Sequence, residues 1–195
     1  MSKLGWEVAG VEPDPEAVCL AKKHLGSGIF QGTLEKAKFP DDSFDAITMN
    51  HVIEHVPNPI ELLVECRRVL KPGGKLVVVT PNIRSLVRCL FGKYWSGWEV
   101  PLHFFLFSPK ALKKCSEQTG LHIQELRTVS KAVRYIWYAS RLLRKDRINP
   151  GGNPGQISLH FTFEGIMFWV IEYMLCQLYP WGEEIVLIAD KGSET

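Results

Sequence analysis

At 195 residues, with 46% apolar and 23% charged side chains, the chain is long enough for one full hydrophobic core and too short for two comfortable domains. A formal net charge of +2 gives no global attraction to nucleic acid, and Gly5, Trp6 and Glu7 interrupt any signal-like apolar run. Five cysteines (Cys19, Cys66, Cys89, Cys115 and Cys176) form no Cys-x-x-Cys pair, which argues for reduced thiols in a cytoplasm and against a zinc or disulfide framework.

Trp6–Glu12 reads as a strand ending in an acidic residue, and Pro13-Asp14-Pro15 leads into a helix expected over about Pro15–His24. Ile29-Phe30-Gln31-Gly32 is a short strand candidate. Phe44–Met49 is short, mostly apolar and bounded by an Asp/Ser turn, which fits a buried strand. Asn58 can cap a helix whose first position is Pro59, with Glu61 completing a capping box. That helix should end at Leu70, where Lys71 suits the negative end of the dipole and Gly73 can supply a left-handed cap. Leu76–Val79 then reads as a second buried strand. Strand, helix, strand with short connections is a right-handed parallel crossover. Ligands in such sheets sit beyond the carboxyl ends of the strands, which here carry Asn50, His51, Glu54, His55 and Pro81-Asn82.

Further on, Ser108 caps a helix with Pro109 at its first position, Gly120-Leu121 ends it, and His122–Val129 should return as a strand. Lys131, Arg134, Arg141 and Lys145 share one side of a helical wheel, with Val133, Ile136, Ala139 and Leu143 opposite. Such a stripe is a solvated face, or a surface for anionic lipid or an acidic substrate. Asn149-Pro150-Gly151-Gly152-Asn153-Pro154-Gly155 breaks the chain as a loop or lid. Phe161–Tyr179 is unusually apolar, yet Glu164 and Glu172 interrupt it too often for a membrane span, so a helix covering the sheet or a partner surface is expected. Glu184–Lys191 reads as a closing strand.

Phe-Pro-Asp-Asp-Ser-Phe-Asp-Ala at 39–46, Asn-His-Val-Ile-Glu-His-Val at 50–56 and Arg-Val-Leu-Lys-Pro-Gly-Gly-Lys-Leu at 68–76 resemble, in content and order, class I S-adenosylmethionine-dependent methyltransferases. The resemblance runs from about Val8 to about Leu126, with a last family-like strand near the C-terminus. It implies a Rossmann-like α/β fold, a mostly parallel sheet with an antiparallel C-terminal strand. The whole of 1–195 is then one methyltransferase-like domain, with 130–181 as a helical insertion or cover. It also implies S-adenosylmethionine as cofactor, a small-molecule substrate and methylation at oxygen. The competing reading is a non-catalytic remnant or interaction module that uses 131–179 for a peripheral membrane or protein contact.

By position in the family, Glu12 at its strand end accepts the ribose hydroxyls, with Pro13 beside it; otherwise Glu12 is a solvated strand-end carboxylate. Thr33 stands about where the family carries an adenine-binding Asp and offers only a hydroxyl, while Leu34 keeps the apolar contact with the ring. Asn50 and His51 close the strand where the family places its cofactor and substrate. His55, one turn beyond His51, is a structural or substrate-orienting histidine. The pair also suits a metal ion, but no third ligand is evident and Glu54 falls elsewhere on a helix, so no metal site is expected. Pro101-Leu102-His103 resembles a Pro-x-His segment of one family branch, which makes His103 either a general base for a hydroxyl substrate or a histidine holding a loop.

In the family, a first strand and a Gly-x-Gly loop precede the acidic strand; here only Met1 to Gly5 stand before it. Gly26-Ser27-Gly28 follows a helix, the wrong place for a loop that opens one. Either the chain is a fragment with a late start or its neighbours close up: if it folds alone, Val8–Val11 is expected to pair directly with Phe44–Met49, giving strand order 3-2-4-5-7-6 in family numbering and a shrunken cofactor cleft.

Overall fold

The computed structural model describes residues 4–25, 28–145 and 163–192, so most of Gly26-Ser27-Gly28 and all of the 149–155 loop lie outside it. The chain opens with β1 (Gly10–Glu12), α1 (Pro15–Leu25) and β2 (Ile29–Gln31), a small parallel unit in which Gly10 aligns with Ile29 and Glu12 with Gln31. The short helix α2 (Leu34–Ala37) leads to β3 (Phe44–Asn50), a single 3-10 turn at Ile53–His55, α3 (Pro59–Val69) and β4 (Leu70–Pro81). After α4 (Leu86–Phe91) and α5 (Pro109–Gln118) come β5 (His122–Val129), α6 (Val133–Arg144), α7 (Phe163–Cys176) and β6 (Glu184–Asp190). β3 and β4 pair in parallel, and β6 enters antiparallel between β4 and β5, giving the order β3-β4-β6-β5. This is the Rossmann-like α/β arrangement with an antiparallel C-terminal strand.

The caps form as their chemistry requires. Asn58 accepts from the Glu61 amide at 3.4 Å and Ser108 from the Ala111 amide at 3.2 Å, each with proline opening the helix behind it. Gly73 adopts its left-handed conformation, φ +74°, but not as a helix cap. The helix stops at Val69, Leu70 is already extended against Phe44, and Gly73 turns the chain within a strand that starts six residues earlier than expected. The reason is burial: Val69 and Leu70 are both fully buried, which ties the helix end directly to the sheet.

Two apolar clusters hold the larger sheet. Leu62, Leu63 and Cys66 of α3 and Leu112 of α5 pack against Leu76, Val78, Ile185 and Leu187. A second cluster joins Val87, Phe91 and Trp95 to Val133 of α6 and Phe168 of α7, with Trp137 stacked on Phe168 at a centroid distance of 4.1 Å. α6 buries Val133 and Ala139, as the helical wheel requires.

The expected direct pairing of the first strand with Phe44–Met49 does not occur. β1 pairs only with β2, the larger sheet begins at β3, and a cavity of about 600 Å³ separates β1 from β3. β1 is also shorter than expected, three residues rather than seven, so it offers few ladder bonds to draw the two sheets together. Leu34 packs on the main core and α2 lies against α3, a tether that fixes the small sheet at its distance. The order in family numbering is therefore 3-2, a gap, then 4-5-7-6.

Candidate functional site

Two cavities flank the carboxyl end of β3. The larger is the slot between the sheets, walled by Gly10 and Val11 on one side and Ile47 and Met49 on the other, with Val52 and Leu62 above. Pro13, Thr33 and Leu34 line it as well, so three of the residues assigned to the cofactor from sequence meet there. Thr33 precedes α2 without making a side-chain cap bond. Glu12 ends β1 next to Pro13 but lines neither cavity, and one of its oxygens accepts from the Asp14 amide at 2.9 Å. Asn50 ends β3 exposed and lines neither cavity.

The smaller cavity, about 190 Å³, lies on the other side of the β3 end and brings together His51, His55, His103, Glu99, Glu183 and Glu184. His51 therefore parts from the other cofactor candidates: Val52 faces the slot and His51 faces away from it. The cause is local backbone. His51 takes a left-handed conformation, φ +52°, while its amide still bonds the Val79 carbonyl at 2.9 Å. Its ring lies between two carboxylates, with Nε2 2.8 Å from Glu184 Oε1 and Nδ1 3.1 Å from Glu54 Oε1. Hydrogen bonding to Glu184 first, then to Glu54, outweighs burial and raises its pKa to about 10. At neutral pH it is a cation with both nitrogens occupied.

Glu54 was expected to point elsewhere on a helix. Instead the chain makes a single 3-10 turn over Ile53–His55, and Glu54 turns fully inward. Burial alone would raise its pKa, but bonds from His51, its own backbone and the Thr80 hydroxyl (2.8 Å) bring the net effect below the ordinary value. Its main-chain carbonyl accepts from the amides of Phe104 (2.9 Å) and Phe105 (3.2 Å), which pins the 99–107 loop over the site. That loop delivers His103, whose side chain is almost wholly buried, with Nδ1 3.1 Å from the Gly97 carbonyl and Nε2 3.4 Å from Glu99. His55 sits alongside, ring centroids 4.7 Å apart, its Nδ1 3.1 Å from the Leu102 carbonyl. Carbonyls only accept, so both rings donate from Nδ1, which leaves Nε2 as the nitrogen turned to other partners.

Sequence reasoning did not single out Glu183 or Trp95. Trp95 is buried and donates its indole N–H to Glu183 at 3.1 Å, and burial pushes the Glu183 carboxyl up to about 7. The signal available was a Glu-Glu pair opening an apolar strand, where one carboxylate must enter the core.

A family model described as a methyltransferase domain matches residues 1–126. The chain belongs to the methyltransferase-domain family. Among curated relatives, a ubiquinone biosynthesis O-methyltransferase of Xanthomonas oryzae pv. oryzae is 39% identical over 88 residues, which is 42% of this chain and 37% of the relative. The chain thus spans well under half the length of that relative. Among solved structures, phosphoethanolamine N-methyltransferase 2 of Haemonchus contortus, determined with S-adenosyl-L-methionine, aligns at TM-score 0.60 and 18% identity, covering 98% of this chain and 45% of that one. A SAM-dependent methyltransferase from Thermotoga maritima aligns at TM-score 0.60 and 21% identity, covering 94% and 73%. At these identities the structural likenesses establish the fold of this methyltransferase domain and nothing finer.

Proposed function

We propose that this domain transfers a methyl group from S-adenosylmethionine to a small-molecule acceptor, at oxygen. The observation that carries the reading is the pairing of two cavities across the β3 end, one large enough for a nucleoside cofactor and one lined by His103, whose Nδ1 is turned to the Gly97 carbonyl. The naming of the curated relatives as O-methyltransferases supports oxygen as the acceptor atom.

The slot suits the nucleoside half of the cofactor. Pro13 and Leu34 would pack against adenine and Thr33 would offer its uncapped hydroxyl, while Glu12, at the strand end beside the slot, would reach in to accept from the ribose hydroxyls. When bound, the cofactor supplies a sulfonium-activated methyl, so the protein has chiefly to orient the acceptor and keep water out. Buried Trp95, with Pro81 and Ile136, forms the apolar wall of the acceptor cavity. His103 takes the proton of an acceptor hydroxyl at Nε2, its tautomer fixed by the Gly97 carbonyl. His55 orients the acceptor beside it, and cationic His51 holds Glu54 and Glu184 in place. Of the assigned cofactor contacts, Asn50 is exposed at the strand end outside both cavities and His51 faces the acceptor side, so neither is retained.

Titration of the chain with S-adenosylhomocysteine by calorimetry, followed by methyl transfer to separate panels of phenols and amines, tests the reading. Saturable binding and turnover on phenols are expected; transfer confined to amines overturns the oxygen assignment, and no binding overturns the whole. In an active preparation, His103→Gln should lower the neutral-pH rate by ~10²-fold with little change in cofactor affinity.

A second role is favoured by one observation. α7 leaves Met167, Val170, Tyr173 and Met174 exposed, and Leu178 and Tyr179 continue the apolar surface. No helix among the described residues is long and apolar enough to cross a membrane. Aromatic side chains on this face and exposed Lys131, Arg144 and Lys145 at the ends of α6, which packs on α7, suit a lipid surface carrying negative charge, met from a cytoplasm that keeps the five thiols reduced. Co-sedimentation with phosphatidylserine vesicles, lost in a Met167→Ser, Met174→Ser double variant, is the expected result; equal binding by the variant removes this role.

A further inference from the structure

We propose that Glu54, His55 and His103 form a binding site for one divalent metal ion of the zinc class. One ligand atom from each lies within 4.8 Å of the others. Zinc at about 2.0–2.2 Å from each donor in tetrahedral geometry sets donors about 3.5 Å apart, so closure needs a contraction of about 1 Å. His55 is exposed, and a small shift of its ring that keeps the Nδ1 bond to the Leu102 carbonyl would supply it.

The hydrogen-bond pattern is that of a ligand set. His55 and His103 each donate from Nδ1 to a carbonyl, of Leu102 and of Gly97, so Nε2 is the nitrogen of each ring left to meet an ion. Metal-binding histidines are oriented in this way by a backbone acceptor on the far nitrogen. Glu54 is likewise oriented from behind, by His51 Nδ1 on one oxygen and the Thr80 hydroxyl on the other, and a carboxylate so held keeps further lone pairs for an ion. Around His103 Nε2 stand a second imidazole and the Glu99 carboxylate, with Glu99 Oε2 at 3.4 Å. A cation is the common complement of these acceptors. Two imidazoles with one carboxylate select zinc-class ions over magnesium or calcium, which take all-oxygen shells.

The remaining coordination positions would face the 190 Å³ cavity that His55, Glu99 and His103 line, where a water or a ligand oxygen could complete the shell. The site shares His55 and His103 with the acceptor cavity, but binding the ion requires neither cofactor nor acceptor, so metal titration reads it apart from methyl transfer. With the ion in place His103 is a ligand rather than a base, and the two roles separate because only one survives chelation.

The test is calorimetric titration of the chelator-stripped full chain with zinc chloride, with cobalt(II) chloride as a visible-absorption probe. One ion per chain is expected, with cobalt d–d bands, and affinity reduced at least ~10-fold in both His55→Gln and His103→Gln. Because His55 is exposed, its substitution leaves the core intact, and an unchanged circular dichroism spectrum checks this. Binding that persists unchanged in His55→Gln overturns the proposal. So does binding abolished by thiol alkylation but not by that substitution, which would place the metal on cysteines.

Discussion

His51 Nε2 and Glu184 Oε1 meet at 2.8 Å across 133 residues of sequence, closing the end of β3 onto the start of β6. The same ring neutralises Glu54, which is wholly buried. Replacing His51 by leucine therefore removes the cation from a buried carboxylate. The expected loss is about 2–3 kcal/mol, below the range for a fully buried pair because water reaches the imidazole. Urea denaturation measures it, and Glu54→Gln in the His51→Leu background should recover part of the loss. A midpoint that stays put in His51→Leu would show that the pair contributes nothing.

Asn82 fastens the other end of β4. It is fully buried, donates from Nδ2 to the carbonyls of Pro180 (3.1 Å) and Gly182 (2.7 Å), and accepts from the Arg84 amide at 3.0 Å. Asn82→Ala orphans these main-chain groups and should destabilise the domain by about 3 kcal/mol, read from denaturant melts. A loss below ~0.5 kcal/mol would mean that water replaces all of the bonds.

Glu172 on α7 is fully buried with neither oxygen in hydrogen-bonding geometry. Burial first, then the Glu183 charge, push its carboxyl up to about 8, and the nearby Ser130 hydroxyl offsets only part. The native state thus holds a proton that the unfolded chain releases near its ordinary 4.5. Stability from this group is complete below about 4.5, declines as pH rises, and is lost once the folded carboxyl ionises near 8. Melting temperature should accordingly fall between pH 5 and 8, and Glu172→Gln should flatten that decline. An unaltered slope in the variant would assign the pH dependence elsewhere.

Glu12 makes one bond to its own turn, at the Asp14 amide. If its second oxygen serves a ribose, Glu12→Ala should weaken S-adenosylhomocysteine binding by about 1.5–3 kcal/mol. Glu12→Gln, which keeps an acceptor for the turn, separates the charge from the local fold. Calorimetry on both variants reads the difference, and full affinity in Glu12→Ala removes the residue from the site.

What the sequence determined by itself is what short-range chemistry encodes. Asn58-Pro59 and Ser108-Pro109 start helices because an acceptor side chain and a preset φ act within one turn. The run 44–49 is a strand as its apolar content and Asp/Ser turn require, although only Met49 is buried because β3 is the edge of its sheet, and the linked motifs around it carried the family. Tertiary structure decided the rest. No pattern in Val8–Val11 announces that only Gly10–Glu12 pairs, or that the tether through Leu34 leaves a slot beside β3. Spacing joined His51 to His55, yet a left-handed residue and a 3-10 turn sent His51 to Glu184 and gave His55 its partners in Glu54 and in His103, 48 residues downstream. Periodicity states which face a side chain leaves from. Only the packed chain states what it meets, because that depends on loops whose course is fixed by bonds such as Phe104 to the Glu54 carbonyl.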